Sequence, residues 1–277
     1  MAMARNGRDA EAEVLGTLAV PPPKIEEFQH VKVRVEGDVA RLTLNRPEHN
    51  LLNERMLSEL AVGINTFGER NAVKLIVLDS GCKAFCGGVE LGEYTHRRVF
   101  QMIEAFHGAF TAMMDTGTPV LAIVNGPAYG GLSALADLMI ATPKARFAQP
   151  EIKLGVFPPL AAAILPYVVG PKQALELVLT GDAISAERAL ELGLVNWLVS
   201  EADLQKKMDE VIAKVTAQSG PVLTMAKKAI LNSLGLSLRD GVRHSMKVFL
   251  NELAELEDSQ EGLRALVEKR APKWKNR

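Results

Sequence analysis

The chain reads as an α/β protein with a helical C-terminal appendage, and three features of the sequence lead there. Short apolar or alternating runs at 31–44, 73–78, 120–124 and 195–199 have strand length and β-branched content, and amphipathic stretches of helical period separate most of them. Two of these runs are followed by glycine loops, at Cys86–Glu90 and Gly130–Gly131. The last ~75 residues carry only helical spacing. The expected organisation is an N-terminal arm (1–30), an α/β core (31–200) and a helical C-terminal region (201–277), with no fixed sequence repeat of 20–50 residues.

Composition narrows the function. With 48% hydrophobic residues among 277, a sizeable core is assured. The 32 basic and 33 acidic side chains leave a net charge of −1, so no global field draws nucleic acid or an anionic membrane, and neither is expected as a partner. Cys82 and Cys86 have no further cysteine with which to build a tetrahedral metal site, and the five histidines lack ligand spacing, so no metal is expected. The cysteines read as reduced thiols. No apolar run reaches the ~18–20 residues of a membrane helix, and the acidic, weakly apolar N-terminus makes a poor signal peptide. A cytoplasmic protein is the expectation.

In chain order, residues 1–30 are polar and reach Pro21-Pro22-Pro23, a stiff spacer at the end of a loosely attached arm. Val31–Val35 and Val39–Leu44 alternate apolar and polar residues around Glu36-Gly37-Asp38, which predicts a β-hairpin. Asn53 is placed to cap a helix over 54–69, with Met56, Leu57, Leu60, Ile64 and Phe67 on one face. A buried strand at 73–78 leads into the first glycine loop. A helix follows over about 99–115, with Met102, Phe106, Phe110 and Met113 packed and His107 read as a hydrogen-bonded core residue. Val120–Val124 is a second buried strand, and Leu132–Ala141 after the glycine pair reads as a helix. Helices are expected at 161–169, 171–180 and 185–192, the last capped by Ser185. A strand at 195–199 and three helices complete the chain.

The candidate chemistry lies in Asn125–Gly155. A glycine turn opening a helix aims unpaired N–H groups at whatever sits before it, and such groups stabilise a developing oxyanion. The loop Cys86-Gly-Gly-Val-Glu90 offers a second donor, the N–H of Val89, since its glycines let a ligand approach the backbone. Each loop alone is equally an ordinary turn; two from separate segments are what an oxyanion hole requires. Glu151, behind Pro150 and among apolar neighbours, has its charged form disfavoured and its pKa directed upward, toward a useful acid/base range; an exposed loop glutamate is the alternative. Cys86 has no His or Lys placed to activate it as a nucleophile. The cluster His96-Arg97-Arg98 reads either as a phosphate contact or as a solvated helix start. Dinucleotide and Walker glycine patterns are absent.

Six segments together resemble the crotonase (enoyl-CoA hydratase/isomerase) superfamily: LTLNRPEHNLLN (42–53), KAFCGGVEL (83–91), PVLAIVNGPAYGG (119–131), ARFAQPEIKLGVFPP (145–159), LVLTGDAISAERALELGLVN (177–196) and EGLRALVEKRAPKW (261–274). They span nearly all the chain outside the arm. The resemblance implies a spiral of ββα units, C-terminal helices that assemble a homotrimer or a dimer of trimers, and a coenzyme A thioester as substrate with no permanently bound cofactor. It also implies an oxyanion hole from the N–H groups of Val89 and Gly131, with Glu151 handling protons at the acyl chain. Ala84, Cys86, Gly87, Gly88, Leu91, Gly130 and Pro150 are implied to bind substrate.

One departure bears on mechanism. Two-carboxylate hydratases of this family carry a glutamate shortly after the glycine run, and this chain is about three residues short between Asn125 and Asp137. Counting forward from the glycines puts Ala134 at that place, and counting back from Asp137 puts Gly131 there. The expected reaction is hydration or double-bond isomerisation of an enoyl-CoA through a thioester enolate, with one carboxylate. The run Glu151–Pro159 also resembles hydratases of alicyclic dienoyl-CoA esters. A catalytically silent acyl-CoA-binding paralogue and a thioester hydrolase are the competing readings.

Overall fold

The computed structural model describes residues 22–68, 72–95 and 98–277. A hairpin opens the sheet: β1 (Val31–Glu36) and β2 (Val39–Leu44) pair antiparallel, with Glu36 opposite Val39 across the turn. Helix α1 (Glu54–Gly68) begins where Asn53 Oδ1 accepts from Met56 N at 2.9 Å, and it buries Met56, Leu57, Leu60, Ile64 and Phe67. Then follow β3 (Leu75–Ser80), β4 (Cys86–Gly87), α2 (Val99–Asp115), β5 (Val120–Val124), β6 (Pro127–Tyr129), β7 (Leu138–Ala141) and β8 (Arg146–Ala148). After them come α3 (Pro159–Val168), α4 (Pro171–Thr180), β9 (Ile184–Ser185), α5 (Ala186–Glu191), β10 (Trp197–Leu198) and four helices, α6 (Leu204–Thr216), α7 (Gly220–Leu231), α8 (Leu238–Asn251) and α9 (Glu257–Val267).

Two sheets record a spiral. One has the order β1-β2-β3-β5-β7-β10 and the other β4-β6-β8-β9. Each turn of chain lays one strand in each sheet, β3 with β4, β5 with β6 and β7 with β8. Parallel pairing holds from β2 through β10 in the first sheet. The apolar runs that reach both faces of this sheet, such as the fully buried Val120–Val124, fit strands covered on two sides. One core lies between the sheets and α1–α5, and a smaller one between the first sheet and α6, where Leu75, Val77 and Leu121 meet Met208 and Val211.

The sequence reading needs correction in four places. The helix expected over 132–141 is absent: a single 3₁₀ turn, Ser133–Leu135, is followed directly by strand β7. The segment is too short to wind a helix and still reach the sheet, and Leu138–Ala141 is drawn into parallel pairing with β5. The C-terminal part has four α-helices rather than three. His107 is exposed, packing only its ring toward Phe110 at 6.4 Å, rather than lying in the core. The two-residue and three-residue strands β4, β6, β8 and β9 were not legible as strands at all.

The arm splits. Residues 1–21 lie outside the described residues. The stretch just before β1 is held firmly, because Glu59, fully buried, accepts from the N–H groups of Gln29, His30 and Val31 at 2.8–3.1 Å and from Arg55 Nε at 2.7 Å. Four charge-assisted bonds compensate the burial of that carboxylate. No helix among the described residues is long and apolar enough to cross a membrane.

Candidate active site

The second sheet assembles the site. Parallel pairing of β4 with β6 sets Cys86 beside Ala128 and Gly87 beside Tyr129, so the two glycine loops leave adjacent strands side by side. Pairing of β6 with β8 sets Tyr129 beside Ala148, and Gly130 N donates to Ala148 O at 3.0 Å. That pairing delivers Gln149-Pro150-Glu151 to the same end of the sheet. Pro150 starts a 3₁₀ turn (Pro150–Leu154), and Glu151, its second residue, is buried. A Cβ built on Gly130, whose φ is +80°, would stand 3.5 Å from Glu151 Oε1, so the carboxylate lies directly over the second glycine loop.

Among the described residues, neither candidate oxyanion donor gives its N–H to a backbone carbonyl. Val89 forms a parallel bridge with Leu52 in which Gly88 O and Glu90 N make the bonds, leaving Val89's own N–H aimed away from Leu52. Gly88, at φ +97°, supplies the turn that allows this. The N–H of Gly131 likewise donates to no loop carbonyl among the described residues. Gly131 also packs tightly: a Cβ there would lie 3.1 Å from Ala161 N and 3.3 Å from Leu160 Cγ, at the start of α3. A side chain at 131 would therefore force α3 or the loop to shift. The 3₁₀ turn that follows, Ser133–Leu135, is too short to supply a helix dipole.

Electrostatics single out Glu151. Burial pushes its pKa above the ordinary carboxylate value, opposed by its own backbone N–H, and its Oε2 is enclosed with no hydrogen-bond partner among the described residues. The Cys86 thiol is pushed up to about 12 by burial, with Gly88's N–H opposing and the Glu151 charge reinforcing the rise. Its Sγ donates to Tyr129 O at 3.1 Å. That thiol is a packing group, not a nucleophile. Tyr94, half-buried on the 3₁₀ turn after Val89, has its hydroxyl pKa raised first by burial and then by the Glu151 charge, so the phenol shares the carboxylate's field. Sequence reasoning missed Tyr94, since only the fold brings it near residue 151.

The remaining expected residues fall into two groups. Gly87, Gly88, Gly130 and Pro150 frame the carboxylate or the donor loop. Ala84 is buried and its carbonyl is taken by Ser80 Oγ at 2.6 Å and Asn50 Nδ2 at 3.0 Å, so it forms the foundation of the loop. Leu91 stands 70% exposed, and Leu154, Val156 and Phe157 beyond Glu151 are also exposed. His96 and Arg97 lie outside the described residues. Ala134 is half-buried against the core, and no side chain of the Gly131–Ala136 turn carries a carboxylate.

Two sheets laid down by one spiral, with a buried carboxylate seated over adjacent glycine loops, define the crotonase class of fold. The sequence profile described as "Enoyl-CoA hydratase/isomerase" matches residues 34–277, and the chain belongs to that family. Among its relatives are the probable mitochondrial enoyl-CoA hydratase of Dictyostelium discoideum, 34% identical over 87% of this chain and 89% of that one. The cyclohexa-1,5-dienecarbonyl-CoA hydratase of Thauera aromatica is 31% identical over 87% of this chain and 95% of its own length. The crystal structure of an enoyl-CoA hydratase from Mycobacterium smegmatis superposes with a TM-score of 0.84 at 30% identity, covering 89% of this chain and 99% of that one. The protein is thus a hydratase/isomerase-like enzyme of acyl-CoA chemistry.

Proposed function

We propose that this enzyme hydrates, or shifts the double bond of, an enoyl-CoA, with Glu151 as its only carboxylate acid/base and the N–H groups of Val89 and Gly131 holding the thioester oxygen. The observation that carries this is the position of Glu151: buried, with one oxygen over Gly130 and the other unpartnered. A buried carboxylate with an elevated pKa accepts and returns a proton near neutral pH. In hydration, Glu151 takes a proton from water as the water oxygen bonds to the β-carbon. The alkene pair moves into the thioester enolate, where the two N–H groups stabilise the oxyanion, and Glu151 then gives the proton to the α-carbon. In isomerisation the same carboxylate moves one proton between the α- and γ-carbons through a dienolate whose oxygen the same two N–H groups hold.

The absence of a carboxylate on the turn after Gly131 favours these one-carboxylate routes over shared activation of water by two. The likeness of Glu151–Pro159 to hydratases of alicyclic dienoyl-CoA esters, and the Thauera relative, support a ring-bearing acyl group as one substrate to test. Exposed apolar residues on α8 and α9, including Leu238, Phe249, Leu250 and Leu266, support assembly into a trimer. The test is turnover of a panel holding crotonyl-CoA, a 3-enoyl-CoA and cyclohexa-1,5-dienecarbonyl-CoA, with exchange of the α-proton of a saturated acyl-CoA in D₂O. Exchange without hydration would leave isomerisation; no exchange and no turnover would end the proposal.

A further inference from the structure

We infer that Gln149 is the second polar group of the active site, accepting a hydrogen bond from the water that Glu151 deprotonates. The inference rests on the one-carboxylate reading above and extends it to how water is held.

The geometry begins with two enclosed oxygens. Among the described residues, five buried side-chain atoms find no partner in the chain, and two of them, Gln149 Oε1 and Glu151 Oε2, flank a single proline. Both side chains are more than nine-tenths buried, at 5% and 7% exposure. An acceptor enclosed without a partner keeps its full desolvation penalty, and each such group in a native protein calls for an explanation. Two of them two residues apart, at the point where β8 gives way to the 3₁₀ turn whose carboxylate lies over Gly130, share one explanation: a small donor arriving with the reaction.

Both orphaned atoms are acceptors, which fits water rather than a carbonyl or a carboxylate. A water molecule has two O–H bonds. Given to Glu151 Oε2 and Gln149 Oε1, they turn a lone pair of the water oxygen toward a third direction, that of the β-carbon. The Glu151-bound proton is the one that leaves; the one on Gln149 stays with the new hydroxyl. The amide neither gains nor loses a proton, and the balance of the hydration step is unchanged. The Gly131–Ala136 turn carries no charged side chain, and no described residue donates to the amide oxygen.

The test compares hydration with α-proton exchange. Exchange needs Glu151 and the oxyanion donors but no attacking water. Gln149→Met, similar in length but without the amide, is expected to lower kcat for hydration of the best 2-enoyl-CoA by about 10- to 100-fold, the order lost when a reactant is misplaced by an ångström. Exchange of the saturated ester should change less than about threefold. Equal losses in both reactions, or no loss in hydration, would overturn the inference. Gln149→Glu provides a second reading if Gln149→Met folds poorly: a carboxylate beside Glu151 should move the acid limb of the rate profile to higher pH, and an unmoved limb counts against it. A wild-type enzyme that exchanges without hydrating overturns this inference alone, while one that does neither removes the reading beneath it.

Discussion

Asp137 and Lys227 form a buried ion pair at 2.7 Å that ties the shortened turn before β7 to the C-terminal helix α7. Asp137 Oδ2 also accepts from Val120 N at 2.7 Å, and Lys227 Nζ donates to Met113 O at 3.1 Å. Burial raises the Asp137 pKa and lowers that of Lys227, and each partner's charge opposes the other's shift. Both groups are thus compensated only while both are present.

Removing one partner is the costly change. Lys227→Met should lower unfolding stability by about 3–5 kcal/mol, since it leaves the Asp137 charge largely uncompensated. Adding Asp137→Asn should restore at least half of the loss. Urea denaturation of the two single variants and the double variant measures this, and additive effects would show that the pair is not coupled.

Glu151→Gln should abolish turnover, with a loss of about 10²–10⁴-fold in kcat and CoA-ester affinity kept within a few-fold. A variant retaining half the wild-type rate would end the assignment. The same change should raise Tm at neutral pH. The folded pKa of Glu151 lies above its unfolded value, so its contribution is most favourable below the unfolded pKa, and that advantage is lost as pH rises through the folded pKa. The gain in Tm should therefore shrink as pH falls below the ordinary carboxylate value.

The rate profile follows from the same shift. Because Glu151 must be ionised to take a proton, kcat/KM should fall as pH drops through its folded pKa. That acid limb should lie above the ordinary carboxylate range, by the direction burial dictates. Measured as kcat/KM against pH, a limb at or below the value of a solvated glutamate would mean that the residue is not desolvated in the working enzyme.

Assembly is a separate prediction. On α8, Leu238, Val242, Met246 and Phe249 recur at helical spacing and are 51–87% exposed. Val211 and Val248 are buried within the chain and take no part in this exposed face. Light scattering at micromolar concentration should give a trimer or hexamer of the 30.0 kDa chain, and a monomer would rule this out. Phe249→Glu should shift the population toward monomer.

Sequence carried the parts of this protein that depend on local pattern. The bounds of α2, α4 and β5 follow from apolar period and flanking glycine or proline, and Ser185 caps α5 as expected, accepting from Arg188 N at 3.2 Å. The burial of Glu151 agrees with the proline and apolar neighbours that mark it in sequence. What stayed hidden is set by pairing across the chain. Strands of two or three residues, such as Cys86–Gly87, have no periodicity to read. Leu138–Ala141 has helical propensity and becomes a strand only because β5 is beside it. Tyr94 and the orphaned amide of Gln149 acquire meaning only once the sheet has put them at the end where Glu151 lies.

The last prediction concerns the turn that lost its carboxylate. Ala134 and Gly131 are the two places where one might be restored, and the fold separates them. At Gly131 a Cβ would meet Ala161 N at 3.1 Å and Leu160 Cγ at 3.3 Å, and backbone at the start of a helix yields little. Gly131→Glu should therefore displace α3 or the loop carrying the oxyanion donor, and lose both hydration and α-proton exchange. Ala134 is half-buried on the 3₁₀ turn, between buried Ser133 and Leu135, and is not itself enclosed in the core. Ala134→Glu should raise hydration of crotonyl-CoA by giving the water a second base. It should also move the acid limb to higher pH, since two carboxylates sharing a site hold a proton more tightly. Ala134→Gln serves as the control, because it matches the shape without the charge. Equal rates for the Glu and Gln variants would place residue 134 away from the reacting carbons and leave Glu151 and its neutral neighbours as the whole of the proton machinery.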